Sequence, residues 1–310
     1  MSRSSSRESA TRNTWATLPD GARRALVDGL SPSALKVLFA EVFSLRAQRV
    51  TSAELRRRWE SDRFVRPAAC DPRALSALEA RLWQLIPEVF AAVELSPVTP
   101  FGTCAALAGI GQDRIVSTTR GTEVVSDSTT TLALEAARRR RAQDPGGQIH
   151  LAASHRQLRA QPMGNASAHF KLLTLVSSAR DQGSGTTEAD LITLHLRTWR
   201  RVLAEILPDH HSVMEISAWS AVLAERVTDV IRPELGHHDL VVLIDAPERI
   251  RARGYYTDLA IRLVVSTADG PVEVGDGGLT GWTAALDENN KERCLVSCVS
   301  TERLLALAGG

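Results

Sequence analysis

Apolar residues recur at three- and four-residue spacing in several stretches of the chain, which is the pattern of helices with one buried face. This periodicity predicts helices over the following ranges: 33–45, 53–64, 72–93, 123–143, 188–207 and 212–231. The helix at 72–93 has the clearest start, because Asp71 is a favoured N-cap residue type and Pro72 fits the first helical position.

Short runs of β-branched and aliphatic residues between polar turns predict strands. The predicted strands lie at 114–121, 148–154, 169–179, 239–246, 255–266, 270–275 and 294–299, with short helices near 279–287 and from 301. An extended or turning segment is expected at 95–109, since it holds two prolines and two glycines. Strands cluster between helices without strict alternation, which predicts an α+β fold with a mostly antiparallel sheet.

The N-terminal part of the chain differs from the rest in its pattern. Residues 1–13 are rich in Ser and Arg and predict a disordered tail, and residues 14–70 predict a helical extension. Residues 71–310 then form the predicted α+β domain. The apolar run at 240–244 is far too short to span a bilayer, so no membrane partner is expected. The first residues lack the apolar core of a signal peptide, so we expect a cytoplasmic location.

Composition and charge narrow the function classes. An apolar fraction of 44% and a charged fraction of 24% are typical of a soluble globular protein. The net charge of +1 gives no general attraction to nucleic acid, so tRNA is not an expected partner. Cys294 and Cys298 are the only close cysteines, and their spacing is poor for zinc, so no metal site is expected.

Three motifs follow one another in the last quarter of the chain. They are an Arg-rich stretch with paired tyrosines, 251-RARGYYTDLAIRL-263, a Gly-rich turn, 275-GDGG-278, and a Glu-Arg helix start, 301-TERLL-305. This order resembles the catalytic domain of class II histidyl-tRNA synthetases, over roughly residues 72–308. The resemblance implies a class II synthetase-like antiparallel sheet flanked by helices, preceded here by an extra helical segment. The sequence shows no anticodon-binding domain, so a relative without one is expected.

The resemblance implies a nucleotide site built from three arginines. Arg156 matches the motif 2 arginine, Arg251 the arginine that precedes the tyrosine pair, and Arg303 the motif 3 arginine. Because a guanidinium group offers a planar fork to phosphate, we expect the three to form one anion site. The expected ligand is ATP or another phosphate-bearing molecule, with Mg²⁺ if ATP is bound. Catalytic residues are not assigned.

The resemblance also implies a ligand pocket beside the arginines. Its expected residues are Glu123, Arg159, Gln161, Leu172, Val176, Tyr255, Tyr256, Gly277, Gly278 and Glu302. Leu172 and Val176 stand where the family has the Gln and Glu that bind histidine, and Leu158 stands where motif 2 has a Glu. Apolar side chains cannot accept hydrogen bonds, so selection of histidine is expected to be lost.

These features favour a binding protein over a complete catalyst. The resemblance implies a relative that does not charge tRNA, of the kind of the regulatory subunit of ATP phosphoribosyltransferase, which joins a catalytic partner in histidine biosynthesis. The segment 72–100 resembles motif 1 and implies a symmetric homodimer. Two alternatives stay open: a stand-alone class II ligase that adenylates another amino or carboxylic acid, and an adaptor that grips a partner with its N-terminal helices.

Overall fold

The strands form where β-branched and aliphatic residues alternate or run together, as expected. The computed structural model describes residues 2–142, 147–161, 168–248 and 253–309. The strands are β1 Ala91–Ala92, β2 Val98–Pro100, β3 Thr122–Val124, β4 Ile149–Leu158, β5 His169–Arg180, β6 Ser212–Ala218, β7 Val241–Asp245, β8 Leu259–Thr267, β9 Gly270–Thr280 and β10 Glu292–Ser300. Within these ranges eight strands form one sheet, in the order β1-β4-β5-β10-β9-β8-β6-β7, and β2 and β3 pair separately.

Helices account for most of the remaining described chain. They are α1 Ser2–Ala16, α2 Ala22–Arg24, α3 Pro32–Ala47, α4 Ser52–Ser61, α5 Pro72–Leu85, α6 Thr103–Ala108, α7 Ser128–Ala142, α8 Thr186–Ile206, α9 Ala221–Arg226, α10 Arg232–Leu235, α11 Trp282–Leu286 and α12 Thr301–Ala308. The predicted start of α5 is confirmed, since the Asp71 carboxylate accepts a hydrogen bond from the Arg73 amide at 2.9 Å.

The sheet is antiparallel through its centre. In the eight-stranded sheet the pairs β4–β5, β5–β10, β10–β9, β9–β8 and β8–β6 are antiparallel, and the outer pairs β1–β4 and β6–β7 are parallel. The α+β fold with a mostly antiparallel sheet flanked by helices is therefore confirmed. Side chains alternate between the two sides of each strand, so register decides which residues meet on each side.

Each side of the sheet packs against its own helices. On the α8 face, Leu173 and Leu175 join a core with apolar residues of α5, α8 and α12. On the α7 face, Leu151 and Val176 join a second core with apolar residues of α7 and α11. Leu172 directly precedes Leu173 on β5. Because adjacent residues of a strand point to opposite faces, Leu172 lies on the α7 face.

Several predicted elements differ in the structure. Residues 212–218 are strand β6 and not the start of a helix, because β7 and β8 complete its backbone hydrogen bonds on both sides. The helix predicted from 123 begins at Ser128, after strand β3. The predicted strand at 114–121 is mainly a loop, and the segment 95–109 contains the short helix α6.

The chain divides into two units, each described here by itself. The N-terminal unit comprises Met1–Ser61 and Ser117–Thr122, and the main unit comprises Asp62–Val116 and Glu123–Gly310. The division falls earlier than the predicted boundary at residue 70. Helix α1 also occupies the segment predicted to be disordered.

The two units carry opposite net charge. Lys and Arg outnumber Asp and Glu by 12 to 6 in the N-terminal unit, which gives +6. In the main unit the count is 25 to 30, which gives −5. The near-neutral total therefore combines a basic unit with an acidic one.

No helix in the described ranges is both long and apolar enough to cross a membrane.

Candidate functional site

A cavity of about 200 Å³ opens on the α7 face of the sheet, at the start of α7 and the end of β4. Asp127 and Thr129 contribute from the start of α7, and Arg159 follows the end of β4. Asp276 of β9 and Cys298 of β10 form part of its floor, and they face each other in the sheet register. The cavity thus gathers groups from distant parts of the chain, as a ligand pocket does.

Asp127 is held by three hydrogen bonds. Its Oδ1 accepts from the Thr129 amide at 3.0 Å and from the Thr129 hydroxyl at 2.5 Å, which also caps the start of α7. Its Oδ2 accepts from the Tyr255 hydroxyl at 2.6 Å. Burial raises the pKa of Tyr255 well above its usual value, and the charge of Asp127 adds to that rise. Tyr255 therefore stays protonated and acts as a donor.

Arg159 is the cation closest to Asp127. Its guanidinium lies 3.9 Å from Asp127 Oδ2, and its Nε donates to the Ser126 carbonyl at 3.2 Å. The same group lies 5.0 Å from the centre of the Phe170 ring, a cation–π contact. Arg114 also lines the cavity and is exposed. Two guanidinium groups therefore border the same cavity as the carboxylates.

Asp276 is the second carboxylate of the pocket. Its Oδ1 accepts from the Cys298 thiol at 3.5 Å, a weak and long interaction. Burial raises the pKa of Asp276, and the nearby charge of Asp127 raises it further. Burial also raises the pKa of Cys298 well above its usual value, with Asp276 contributing, so this thiol is neutral and a poor nucleophile.

The tyrosine pair forms an aromatic wall. The Tyr255 ring makes edge-to-face contacts with Tyr256, at 4.9 Å between centroids, and with Trp282, at 5.4 Å. Tyr256 lies over Gly278, where an added Cβ would meet the Tyr256 ring and the Leu259 carbonyl at 2.5 Å. Glycine at 278 is therefore what lets this tyrosine reach the cavity.

Several predicted pocket residues do line the cavity. They are Arg159, Gln161, Leu172, Tyr255 and Tyr256. Val176 lies on the same face but is fully buried in the second core. Gly278 supports the tyrosine wall from beneath. Gly277 lies on the α8 face, since an added Cβ there would meet Ser297.

Arg156, expected in the nucleotide site, does not line this cavity. Arg156 pairs with Lys171 in the β4–β5 register, and Lys171 bonds Glu79 of α5 at 2.6 Å, so both point to the side of the sheet that carries α5. The Arg156 guanidinium lies 2.7 Å from Glu302 and 3.0 Å from His169 Nδ1. Neighbouring residues of a strand lie on opposite faces of the sheet, so Arg156 lies on the face opposite the cavity.

Other predicted residues also lie outside the cavity lining. Arg303 is exposed and donates to the Glu273 carbonyl at 2.5 Å, and Glu302 pairs with Arg156. Glu123 is fully buried, and its carboxylate accepts from the Gly102 and Cys104 amides at 2.8 and 3.0 Å. It holds the start of α6, a structural task. Arg251 lies outside the described residues.

Two acids of the pocket, Asp127 and Asp276, were missed by the sequence analysis. Asp127 stands directly before Ser128 and Thr129, so an acid is followed by two hydroxyl residues at the start of α7. That order, together with the N-cap preference of Asp, was a usable signal. Asp276 was hidden in the Gly-rich turn 275–278, which is part of strand β9.

The described residues do not fit a nucleotide in the manner that the resemblance implies. Neither Arg156 nor Arg303 lines the cavity, and Leu172 forms part of its wall. Across the described ranges, no cluster of three or more His, Cys, Asp or Glu side chains is arranged to hold a metal ion. The cavity therefore offers hydrogen bonds, two carboxylates and two guanidinium groups, and these suit a small polar ligand.

Comparisons with solved structures place this fold. The chain superposes on histidyl-tRNA synthetase from Staphylococcus aureus with a TM-score of 0.56 and 13% identity, covering 76% of this chain and 65% of that chain. The fold is that of a class II aminoacyl-tRNA synthetase catalytic domain. An ATP phosphoribosyltransferase regulatory subunit/histidyl-tRNA synthetase from Bacillus halodurans gives a TM-score of 0.60 and 11% identity, over 80% of this chain and 82% of that one.

A third solved structure has the same class II synthetase-like fold. A histidine–tRNA ligase subunit from Alicyclobacillus acidocaldarius matches with a TM-score of 0.53 and 12% identity, over 79% of this chain and 97% of that chain. No protein-family model matches the sequence, and no curated protein matches it either. The chain spans less than two thirds of the Staphylococcus aureus synthetase, and at these identities the likeness shows the fold.

Proposed function

We propose that this protein is a histidyl-tRNA synthetase-like subunit that binds a small amino-acid-like molecule and does not charge tRNA. One observation carries the proposal: Asp127, Thr129, Tyr255 and Arg159 share a cavity, while Arg156 and Arg303 lie outside its lining. The site therefore keeps groups for a small zwitterion and lacks two of the three arginines expected for a nucleotide.

The chemistry of the cavity supports this ligand class. Carboxylates such as Asp127 and Asp276 attract an ammonium group, and the guanidinium groups of Arg114 and Arg159 attract a carboxylate. Both attractions are stronger in a protein cavity than in bulk water, because the local dielectric constant is lower. A volume of about 200 Å³ is below the range of about 300–1,000 Å³ typical of drug-sized ligands, so the ligand is small.

A regulatory role follows from the same proposal. The likeness to a structure described as an ATP phosphoribosyltransferase regulatory subunit supports a subunit that senses a small molecule for a catalytic protein partner. We propose that the chain forms a symmetric homodimer through the segment 72–100 and that it acts in amino-acid biosynthesis.

Calorimetric titration with the standard amino acids tests the proposal. At least one is expected to bind, and Asp127→Asn should weaken that binding by about 1.5–3 kcal/mol, the range for hydrogen bonds to charged groups. The exposed Glu225→Gln is the matched control and should leave affinity unchanged. If no amino acid binds, or if Asp127→Asn and the control behave alike, the cavity is not the ligand site.

The alternative of a stand-alone ligase has one observation in its favour. Arg114 and Arg159 both border the cavity, so the phosphate of an acyl-adenylate would have two guanidinium partners there. This alternative requires ATP and Mg²⁺. A pyrophosphate-exchange assay across the amino acids separates the two functions: the proposed subunit gives no exchange, whereas a ligase exchanges with its own substrate.

A further inference from the structure

We infer that the ligand of this cavity carries a second ammonium group, at the end of an aliphatic stem, which binds Asp276. The ligand class is then that of diamino acids such as lysine and ornithine. The inference rests on the proposed function, because it names the ligand class of the same cavity.

Among the described residues, no cationic side chain lies within 4 Å of the Asp276 carboxylate, although the more distant charge of Arg159 lowers its pKa slightly. Within the described residues, this carboxylate accepts a hydrogen bond from the Cys298 thiol at 3.5 Å. Arg262 stands opposite Asp276 in the β8–β9 register, but its guanidinium donates to Glu215 at 2.6 Å. Arg159 is turned to Asp127, 3.9 Å from that carboxylate. The acid on the floor of the cavity is therefore left without an ion pair.

Asp127 differs from Asp276 in this respect. Three donor groups, from Thr129 and Tyr255, already occupy its two oxygens, and Arg159 stands nearby. A carboxylate of this kind is structurally satisfied even in an empty cavity. Asp276 is not, so it is the group that a ligand would complete. A cavity between one satisfied and one unsatisfied acid is more specific than a cluster of surface acids.

Asp276 is half-buried, and removing an unpaired carboxylate from much of its water is costly, so the protein has two ways to reduce that cost. One is to take up a proton, and the raised pKa of Asp276, caused first by burial and then by Asp127, agrees with this in the absence of a ligand. The other is to bind a cation. Since Asp276 lines a cavity large enough for a small molecule, a ligand ammonium group can reach it.

The rest of the cavity wall suits an aliphatic stem. Ile110, Ile115 and Leu172 border the same cavity, so methylene groups would meet apolar side chains on their way to Asp276. Leu172 occupies the strand position where a polar residue was expected for histidine. An apolar wall with one acid on the floor selects a flexible amine-tipped chain over an imidazole ring.

The first experiment compares lysine with norleucine on the unmodified protein. Norleucine keeps the four-carbon stem and the zwitterionic end, and it lacks only the terminal amine. Lysine or ornithine is expected to bind roughly 10- to 150-fold more tightly than norleucine, as for one hydrogen-bonded charge pair. This comparison needs no variant, so it stands even if a substitution disturbs folding.

The second experiment repeats the titrations with Asp276→Asn. The amide keeps the shape of the side chain and removes its charge, so the preference for lysine should disappear while norleucine affinity stays within about twofold. Glu225→Gln, an exposed acid outside the cavity, is the matched control and should keep the full preference. Thermal melts without ligand confirm that each variant is folded.

The outcomes separate the two claims. Equal affinity of lysine and norleucine, with both binding, overturns the second ammonium group and leaves the proposed amino-acid site in place. Binding of neither, together with no binding of any other amino acid, overturns both. A lysine preference that survives in Asp276→Asn places the second amine elsewhere and also overturns the inference.

Discussion

The tyrosine wall of the cavity requires a glycine at position 278. An added Cβ would lie 2.5 Å from both the Tyr256 ring and the Leu259 carbonyl, and the carbonyl belongs to a neighbouring strand that cannot easily retreat. The only routes open to a larger residue are to displace Tyr256 or to part the strands β8 and β9. The conformation of Gly278 is ordinary, so close packing, and not backbone freedom, requires glycine here.

We therefore expect Gly278→Ala to lower the free energy of unfolding by about 1–3 kcal/mol, as for overpacking of a full core. Gly281→Ala is the matched control, because an added Cβ there meets nothing within 4 Å. Urea denaturation of both variants measures the difference. Equal stability of the two would contradict the packing argument.

A second residue-scale prediction concerns the two arginines near the end of β4. Arg159→Ala should weaken binding of the amino-acid ligand, because the side chain lines the cavity beside Asp127. Arg156→Ala should leave binding unchanged and cost at most about 1 kcal/mol of stability, since it removes a partly exposed ion pair with Glu302. If Arg156→Ala abolishes binding instead, the face assigned to it is incorrect.

The sequence alone predicted the positions of some site residues better than others. Leu172 and Val176 of β5 were both expected in the pocket, and the structure places Leu172 in the cavity wall and Val176 in the second core. On β4 nearly every residue from 149 to 155 is buried, so no polar alternation marks the phase. The resemblance matches residue types along β4 but does not show which residues face which side of the sheet. It therefore could not show whether Arg156 or a neighbouring residue points into the cavity.

A buried polar residue of helix α8 links the helix to the sheet by hydrogen bonds. His195 is fully buried, and its ring nitrogens contact the Ser297 hydroxyl at 2.7 Å and the Ser177 hydroxyl at 2.8 Å. The Trp199 indole donates to the same Ser297 hydroxyl at 2.7 Å. One histidine thus ties α8 to both β5 and β10.

This arrangement predicts a loss of stability in acid. Burial lowers the pKa of His195 to about 3, so the folded protein keeps it neutral while the unfolded chain takes up a proton below pH 6.5. The free energy of unfolding should then fall as pH drops from 6.5 towards 3, by about 1.4 kcal/mol per pH unit from this group. Above pH 6.5 the effect vanishes.

Urea denaturation at several pH values between 7.5 and 4.5 checks this sign. His195→Gln should lower stability at neutral pH and flatten the slope, because the titrating group is gone. His211→Gln, at an exposed position, should leave the slope as it is. An unchanged slope in His195→Gln would show that other groups cause the acid sensitivity.

The sequence predicted whether a segment is a helix or a strand where its apolar residues follow one clear periodicity. It failed where pairing with distant strands determines the secondary structure. The run from 188 to 207 has a clear apolar stripe and forms α8 almost as predicted. The run from 212 to 218 has apolar spacing compatible with a helix, yet it forms β6 between β7 and β8. Strand formation there depends on partners far away in the sequence, which local periodicity does not report.

Assembly is the first question for the whole molecule. The proposed homodimer uses segment 72–100, where Val89 is 52% exposed. Light scattering should give twice the mass of one chain, and Val89→Asp should shift the equilibrium towards monomer, since a charge in an apolar contact is costly. Val222→Asp, at a similarly exposed site on α9, is the control and should stay dimeric. A wild-type monomer at all concentrations would contradict the proposal.

The opposite charges of the two units have a consequence in the laboratory. A chain of net charge +1 with evenly distributed charges should bind only weakly to ion-exchange resins near neutral pH. With +6 in one unit and −5 in the other, this one is expected to be retained by both a cation exchanger and an anion exchanger at low salt. Removing residues 1–61 should abolish retention on the cation exchanger and strengthen it on the anion exchanger, and elution profiles of the two forms measure this directly.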